Sequence, residues 1–340
     1  MTSDPRIAPW VIDEGDFYEL EAPADQIRFL LQYAVLAPSL HNTQPWIFQP
    51  VEGGVEVSAD PMRRLAATDP QGREALLSIG AAIANLRIAA AHFGFETSVL
   101  YRHAPERPDR IALVAFRETS RTNDELRRLF PAIRRRHTNR EPFACEAVDP
   151  DLLEPVCDFV DAHPETLRLV PSQLRPRIIE LVTAADEAQM SERPVREELA
   201  HWVHSGASRP DGIPADALGV PAFPAATEWV VRHISIGPLT ARRDRALIES
   251  ASAVIVVTAA DDPVSLAAAG EIMERLLLIV TREGLQASFF TGPAERDDLR
   301  QSLWSLVGTE RPPQIVLRVG HCNSAAPRPT PRRPLEDVLV

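Results

Sequence analysis

Lysine is absent from this 340-residue chain, so all 36 residues counted as Lys+Arg are arginine. The absence excludes Schiff-base lysines, pyridoxal-phosphate enzymes, Walker A loops and the protein-kinase strand lysine. A coding bias that replaces lysine with arginine accounts for it equally well. Cysteine is scarce: Cys145, Cys157 and Cys322 are an odd set without C-x-x-C spacing. They suggest a reducing compartment rather than a disulfide framework. No G-x-G pair, no G-x-S-x-G elbow and no H-E-x-x-H occurs, which excludes the fingerprints of dinucleotide folds, α/β-hydrolases and zincins. His201 and His204 fall on one helix face without a carboxylate partner set and read as surface or lid residues, so no metal site is expected. The first residues contain no apolar signal core, and no uncharged apolar run reaches the ~20 residues of a membrane span. A soluble, cytoplasmic protein without a membrane partner is therefore expected. The net charge of -12 lacks the basic footprint of a nucleic-acid binder.

The chain does contain an internal repeat. Leu76–Leu100 aligns with Leu266–Phe290 at a constant offset, matching Gly80 to Gly270, Leu86 to Leu276, Gly94 to Gly284 and Ser98 to Ser288. Each copy reads as a helix apolar on most faces, a glycine suited to a left-handed cap, then a strand. Strands flank each copy: Val55–Ser58 and Ile111–Ala115 in the first, Ala253–Val257 and Ile315–Val319 in the second. An Asp-Pro step follows the leading strand both times, at Asp60-Pro61 and Asp262-Pro263. The expectation is an α+β fold of two related halves, 1–123 and 124–340, packed through their long helices into one pseudo-symmetric body. Residues 191–233 have no counterpart in the first half. They hold a short helix, Val195–His204, and a Pro/Gly-rich excursion whose Trp202, Phe223 and Trp229 imply packing against the body. A basic, proline-rich arm (321–340) carries Arg328, Arg332 and Arg333.

Two segments could carry chemistry. The loop in APSLHNTQPWIF (37–48) offers Asn42 and Gln44, whose amides can pair with a planar ligand edge, while Trp46 reads as a buried anchor. An ordinary capped turn accounts for the same residues. The segment IRRRHTNREPF (133–143) concentrates Arg134, Arg135, Arg136, His137 and Arg140 beside the Thr138 hydroxyl. Guanidinium forks suit a phosphate monoester, although a solvated basic face is the plainer alternative.

Together these segments resemble the flavin-dependent nitroreductase superfamily. PSLHNTQPW is similar to its P-S-S-x-N-x-Q-P-W loop, and RHTNREPF to its R-x-S-x-R-x-F phosphate motif. AGEIMERLLLIVTREGLQASFFTG resembles its helix and flavin loop, and PTPRRPLEDVL its C-terminus. The likeness covers almost the whole chain and is strongest to the Acg branch, in which two nitroreductase-like halves share one polypeptide. It implies a nitroreductase-like fold duplicated as an intramolecular pseudo-dimer, with the insertion as a lid. It implies FMN as cofactor, with Arg136, Thr138 and Arg140 on its phosphate, helped by Arg332 or Arg333, and His137 on phosphate or pyrimidine. Pro38, Ser39, Leu40, Asn42 and Gln44 would line the flavin from the other half. Thr291 and Gly292 would approach the isoalloxazine. The second phosphate motif is missing, since residues 1–25 offer only Arg6, and so is the second N-x-Q-P-W. One flavin site instead of two is expected, in a monomer or weak dimer. Leu40 departs from the family serine. The implied activity is two-electron transfer from NAD(P)H to a quinone- or nitro-type small aromatic acceptor, with no obligatory side-chain acid or base. The alternative is a protein that binds or sequesters FMN beneath a lid that blocks NAD(P)H.

Overall fold

The computed structural model describes residues 7–101, 106–121, 123–144, 148–204, 209–214, 227–322 and 329–340. Arg6, Cys145, Phe223 and Arg328 lie outside the described residues. The chain runs α1 (Pro23–Ala34), β1 (Trp46–Val51), β2 (Gly54–Ala59), α2 (Arg73–His92), β3 (Phe95–Tyr101) and β4 (Arg110–Glu118). Two single turns follow, α3 (Asp124–Arg127) and α4 (Phe130–Ile133), then α5 (Pro150–Asp161), β5 (Leu167–Leu169) and α6 (Arg175–Ser191). The insertion supplies α7 (Arg193–Trp202), the short strands β6 (Val203–His204) and β7 (Ile213–Pro214), and α8 (Thr227–His233). The remainder is α9 (Gly237–Glu249), β8 (Ala253–Thr258), α10 (Pro263–Arg282), β9 (Gln286–Phe290), α11 (Gly292–Glu295), α12 (Asp297–Val307) and β10 (Pro313–Gly320).

The repeat is an architectural one. The first sheet has strand order β1-β2-β4-β3 and the second β5-β8-β10-β9, with antiparallel neighbours throughout. The repeated helices are α2 and α10, which make the most extensive inter-element contact among the described residues. Their matched glycines sit at the crossing. A Cβ on Gly80 would collide with the Ala267 carbonyl, and one on Gly270 with the Leu77 carbonyl. The backbones approach this closely only because both positions lack side chains. Gly94 and Gly284 end their helices at φ 89° and 76°, the left-handed region expected of them. The Asp-Pro steps start turns: Asp262 caps α10 by accepting from Ser265 N at 2.9 Å, and Asp60 accepts from Met62 N at 3.0 Å.

α2 is long and apolar enough to cross a membrane by length and composition, the one such helix among the described residues, and most of its apolar window is buried in the core. The two sheets are covered differently. β3 is buried only at Phe95 and otherwise alternates exposed and half-buried residues, whereas β8 and β10 are buried throughout. A core cluster joining both modules lies around α2 and α10, and a second cluster lies under α6, α9 and α12. A near-continuous run such as AVIVVT is what a strand covered on both faces requires.

Within the insertion the helix is α7, and Val203–His204 leave it to pair with Ile213–Pro214. Trp202 is buried as expected, flanked by the Arg63 and Arg209 guanidiniums, each 5.7 Å from its ring. Trp229 is 59 % exposed, contrary to expectation, because α8 turns it outward beside His233. His204 is buried rather than on the surface, while His201 is exposed.

Candidate functional site

A cavity of about 290 Å³ opens between the two modules. Of the residues singled out by sequence, Pro38, Ser39, Leu40, Asn42, Arg136, Thr138, Arg140, Thr291 and Arg332 line it. Gln44, His137, Gly292 and Arg333 stand behind the wall.

The first wall is the 37–44 loop. His41, Asn42 and Gln44 adopt φ of 49°, 54° and 52°, three left-handed residues without one glycine. Backbone strain of this kind persists only where surroundings over-determine it. Ser39 Oγ accepts from Gln44 N at 2.9 Å. Asn42 donates to the Gly212 and Pro331 carbonyls and accepts from Arg332 at 2.9 Å. Gln44 donates to the Asn42 and Pro210 carbonyls and accepts from Arg333 N at 2.8 Å. Both amides are thus engaged by the insertion and the C-terminal arm, so they hold the loop in place. Trp46 is fully buried beneath it. His41 was not foreseen. It lines the cavity with Nε2 unpartnered, and burial lowers its pKa to about 4, leaving it neutral.

The second wall is cationic. Thr138 bridges to Ala287, and Asn139 N donates to the Ala287 carbonyl at 3.0 Å, so the segment extends the sheet edge at β9. Arg318 of β10, fully buried, fixes it from beneath. Its guanidinium lies 3.9 Å from the Phe143 ring centroid and donates to Ser288 Oγ (2.6 Å) and to the Asn139 and Glu141 carbonyls (3.0 and 2.8 Å). A Cβ at Gly320 would enter the Phe143 ring. Arg136 and Arg332, both buried, donate to the Leu36 carbonyl. Arg332 also stacks on Trp10, 5.0 Å from its ring, and His137 packs against the same ring at 4.6 Å. The C-terminal residues reach this position by running beside β1, where Val340 N donates to the Phe48 carbonyl.

Charge is unbalanced here. Glu274 Oε1 lies 3.4 Å from Arg136 Nε, and burial outweighs that attraction enough to raise Glu274 to about 7. Burial lowers Arg332 to about 9 and, with Arg243 beside it, Arg140 to about 10. Arg332 and Arg140 therefore stay charged at neutral pH, and burial lowers Arg136 against the attraction of Glu274. Burial, then Arg136 and Arg332, lower His137 to about 3. Among the described residues no carboxylate pairs with Arg140. An excess of desolvated cations around one open hydroxyl, Thr138, is the donor set that a phosphate monoester fits.

Around the rest of the cavity stand Leu199, Ile213, Val231, Ile236 and Thr240 from the insertion and α9. Glu74, Asp186 and Asp244 also line it and were not anticipated, since each sits in a helix that reads as amphipathic or apolar by itself.

A helix pair crossing at matched glycines, two sheets of one strand order and a cationic cavity between them define a duplicated α+β module. The chain is 30 % identical over 318 residues to Acg of Mycobacterium tuberculosis (strain H37Rv), described as an NAD(P)H nitroreductase, covering 93 % of this chain and 95 % of that protein. It is 30 % identical over 325 residues to a second M. tuberculosis H37Rv protein of that description, Rv3131, covering 93 % and 91 %. The chain belongs to the Acg branch of the nitroreductase-like superfamily. No family model matches. Among solved structures, a nitroreductase from Anabaena variabilis aligns over 92 % of each chain at 11 % identity and TM-score 0.48. The FMN-dependent nitroreductase NfnB of Mycobacterium smegmatis, solved with NADPH, aligns over 63 % of this chain and 96 % of its own, at 14 % identity and TM-score 0.39.

Proposed function

We propose that the protein is an FMN-dependent NAD(P)H oxidoreductase with a single flavin site between halves 1–123 and 124–340. The carrying observation is that buried Arg136 and Arg332 and half-buried Arg140, around Thr138, line one cavity together with the strained 38–42 loop. Arg136, Thr138, Arg140 and Arg332 would hold the phosphate. Pro38, Ser39, Leu40 and Asn42 would line the ring from the other module, and Thr291 would stand at its edge. Arg333, His137, Gln44 and Gly292 act one layer back, fixing those residues. When bound, FMN supplies two-electron chemistry between NAD(P)H and a quinone- or nitro-type acceptor. The protein's part is to neutralise the phosphate, fix the ring and exclude water.

A second reading has one observation in its favour. The insertion is clamped onto the first module: Asp211 accepts from Arg63 (2.6 Å), and Glu198 accepts from Ala67 N, Thr68 N and Thr68 Oγ1. A lid so fastened could keep NAD(P)H from bound FMN, giving a sequestering protein. One experiment separates the readings. The purified protein should show flavin absorption and bleach anaerobically with NADPH or NADH. A colourless protein sinks both. Bound flavin that neither nucleotide bleaches sinks turnover, and restored bleaching in Arg63→Ala would then establish the lid.

A further inference from the structure

The cavity lined by the arginines is lined by acids as well. Glu74, in the first turn of α2, lines it at 6 % exposure, and its Oε1 has no hydrogen-bond partner. Glu295 of α11 lies against Glu74, carboxyl to carboxyl. Asp186 of α6 lines the cavity beside them, with a buried and unpartnered Oδ2.

The groups facing these carboxyls are mostly of the same sign. Glu74 meets Glu295, Asp69 and one cation, Arg73, whose terminal nitrogens already donate to Gln314 and the Ala294 carbonyl. Asp186 meets Asp244, Glu295 and Glu187. Asp244 is offset by Arg243 and Arg318, and Gln189 donates to Glu295. Two carboxyls of the cavity wall, Glu74 and Asp186, are thus desolvated with Glu295 packed behind them, and Asp186 has no cation among the groups that shift it. Buried acids without counter-charge destabilise a fold, and a bound cation removes that penalty.

We propose that Glu74 and Asp186, with Glu295 behind them, form a subsite for a cationic group, an ammonium or amidinium carried by the aromatic acceptor. This deepens the oxidoreductase reading and rests on it. The acceptor class becomes cationic aromatic compounds rather than neutral or anionic ones. Without such a ligand, burial and then Glu295 hold Glu74 above the ordinary carboxylate range, burial and Asp69 outweigh the Glu74 hydrogen bond to hold Glu295 above it, and burial with Asp244, Glu295 and Glu187 raises Asp186 to about 8. Entry of a cation favours the ionised carboxylates, so binding must release protons.

Isothermal titration of the flavin-loaded protein at pH 7 tests this with 4-nitrobenzylamine, 4-nitrobenzyl alcohol and 4-nitrobenzoate, which differ mainly in charge. The amine should bind roughly tenfold or more tightly than the alcohol. It should release protons, seen as an enthalpy that changes with the ionisation enthalpy of the buffer, while the alcohol releases none. Glu74→Gln and Asp186→Asn, each of which relieves like-charge crowding, should cut the preference severalfold and leave the alcohol's Kd in place. Equal binding of amine and alcohol, tightest binding of the benzoate, or amine binding without proton release would overturn the proposal. Affinity is read without turnover, so the failures separate. A colourless preparation defeats the flavin reading, whereas a yellow one without charge preference defeats only the cation subsite.

Discussion

Arg140→Gln should separate flavin binding from folding. Burial and then the neighbouring Arg243 lower this guanidinium's pKa to about 10, and among the described residues no carboxylate pairs with it. It is nevertheless partly open to the cavity. Removing a charge so placed relieves repulsion, and the expected change in unfolding free energy is within about 1 kcal/mol of zero, with a gain favoured. The phosphate complex responds oppositely. A charge-assisted hydrogen bond contributes roughly 1.5–3 kcal/mol, so the FMN Kd should rise by about 10- to 150-fold. Arg136→Gln is the contrast. It leaves Glu274, which is 0 % exposed and has both oxygens without hydrogen bonds, with only the weaker attraction of Arg332. Breaking a buried pair costs about 3–5 kcal/mol, reduced here to about 1–3 because Glu274 can protonate near neutrality. Urea unfolding of flavin-free protein and FMN fluorescence titration give both quantities. The reasoning fails if Arg140→Gln loses more than about 1 kcal/mol of stability while holding FMN as tightly as the parent.

Two further outcomes are expected. Gly270→Ala places a Cβ on the Leu77 carbonyl at the α2–α10 crossing. Helix propensity gains about 1 kcal/mol, but overpacking against backbone exceeds it, leaving a net loss of about 1–3 kcal/mol in urea; a variant as stable as the parent would refute the crossing. Burial pushes the folded Glu274 carboxyl up from its ordinary 4.5 to about 7. The folded state therefore keeps a proton that the unfolded state has released, and stability falls as pH rises from about 4.5 to about 7. At about 1.4 kcal/mol per unit, this one group contributes at most roughly 3.5 kcal/mol of that decline. Glu274→Gln should gain on the parent as pH rises from 5 to 8, and parallel stability curves would exclude this origin.

How far such behaviour can be read from sequence depends on whether the cause is contiguous. Arg136, Thr138 and Arg140 lie within five positions, and a site built from one edge segment is legible as a run. The glycine pair was legible because a helix crossing removes the Cβ from both partners at once, leaving the same mark in both copies. Asn42 and Gln44 show where this stops. Their loop was visible, but their amides are engaged by carbonyls and a backbone N–H at positions 210, 212, 331 and 333, together with the Arg332 side chain. No window around position 42 contains those partners. Arg318 is the stronger case. In IVLRV it reads as the polar exception in an apolar strand, yet it is the buried cation that holds the phosphate-motif loop, with its acceptors some 180 residues earlier. The acidic wall is dispersed in the same way over α2, α6 and α11, and each carboxyl alone resembles a solvated helix residue. The charge that such groups carry is set by what the fold brings against them, which is why the arginines were legible as a motif and the carboxyls became visible only as neighbours.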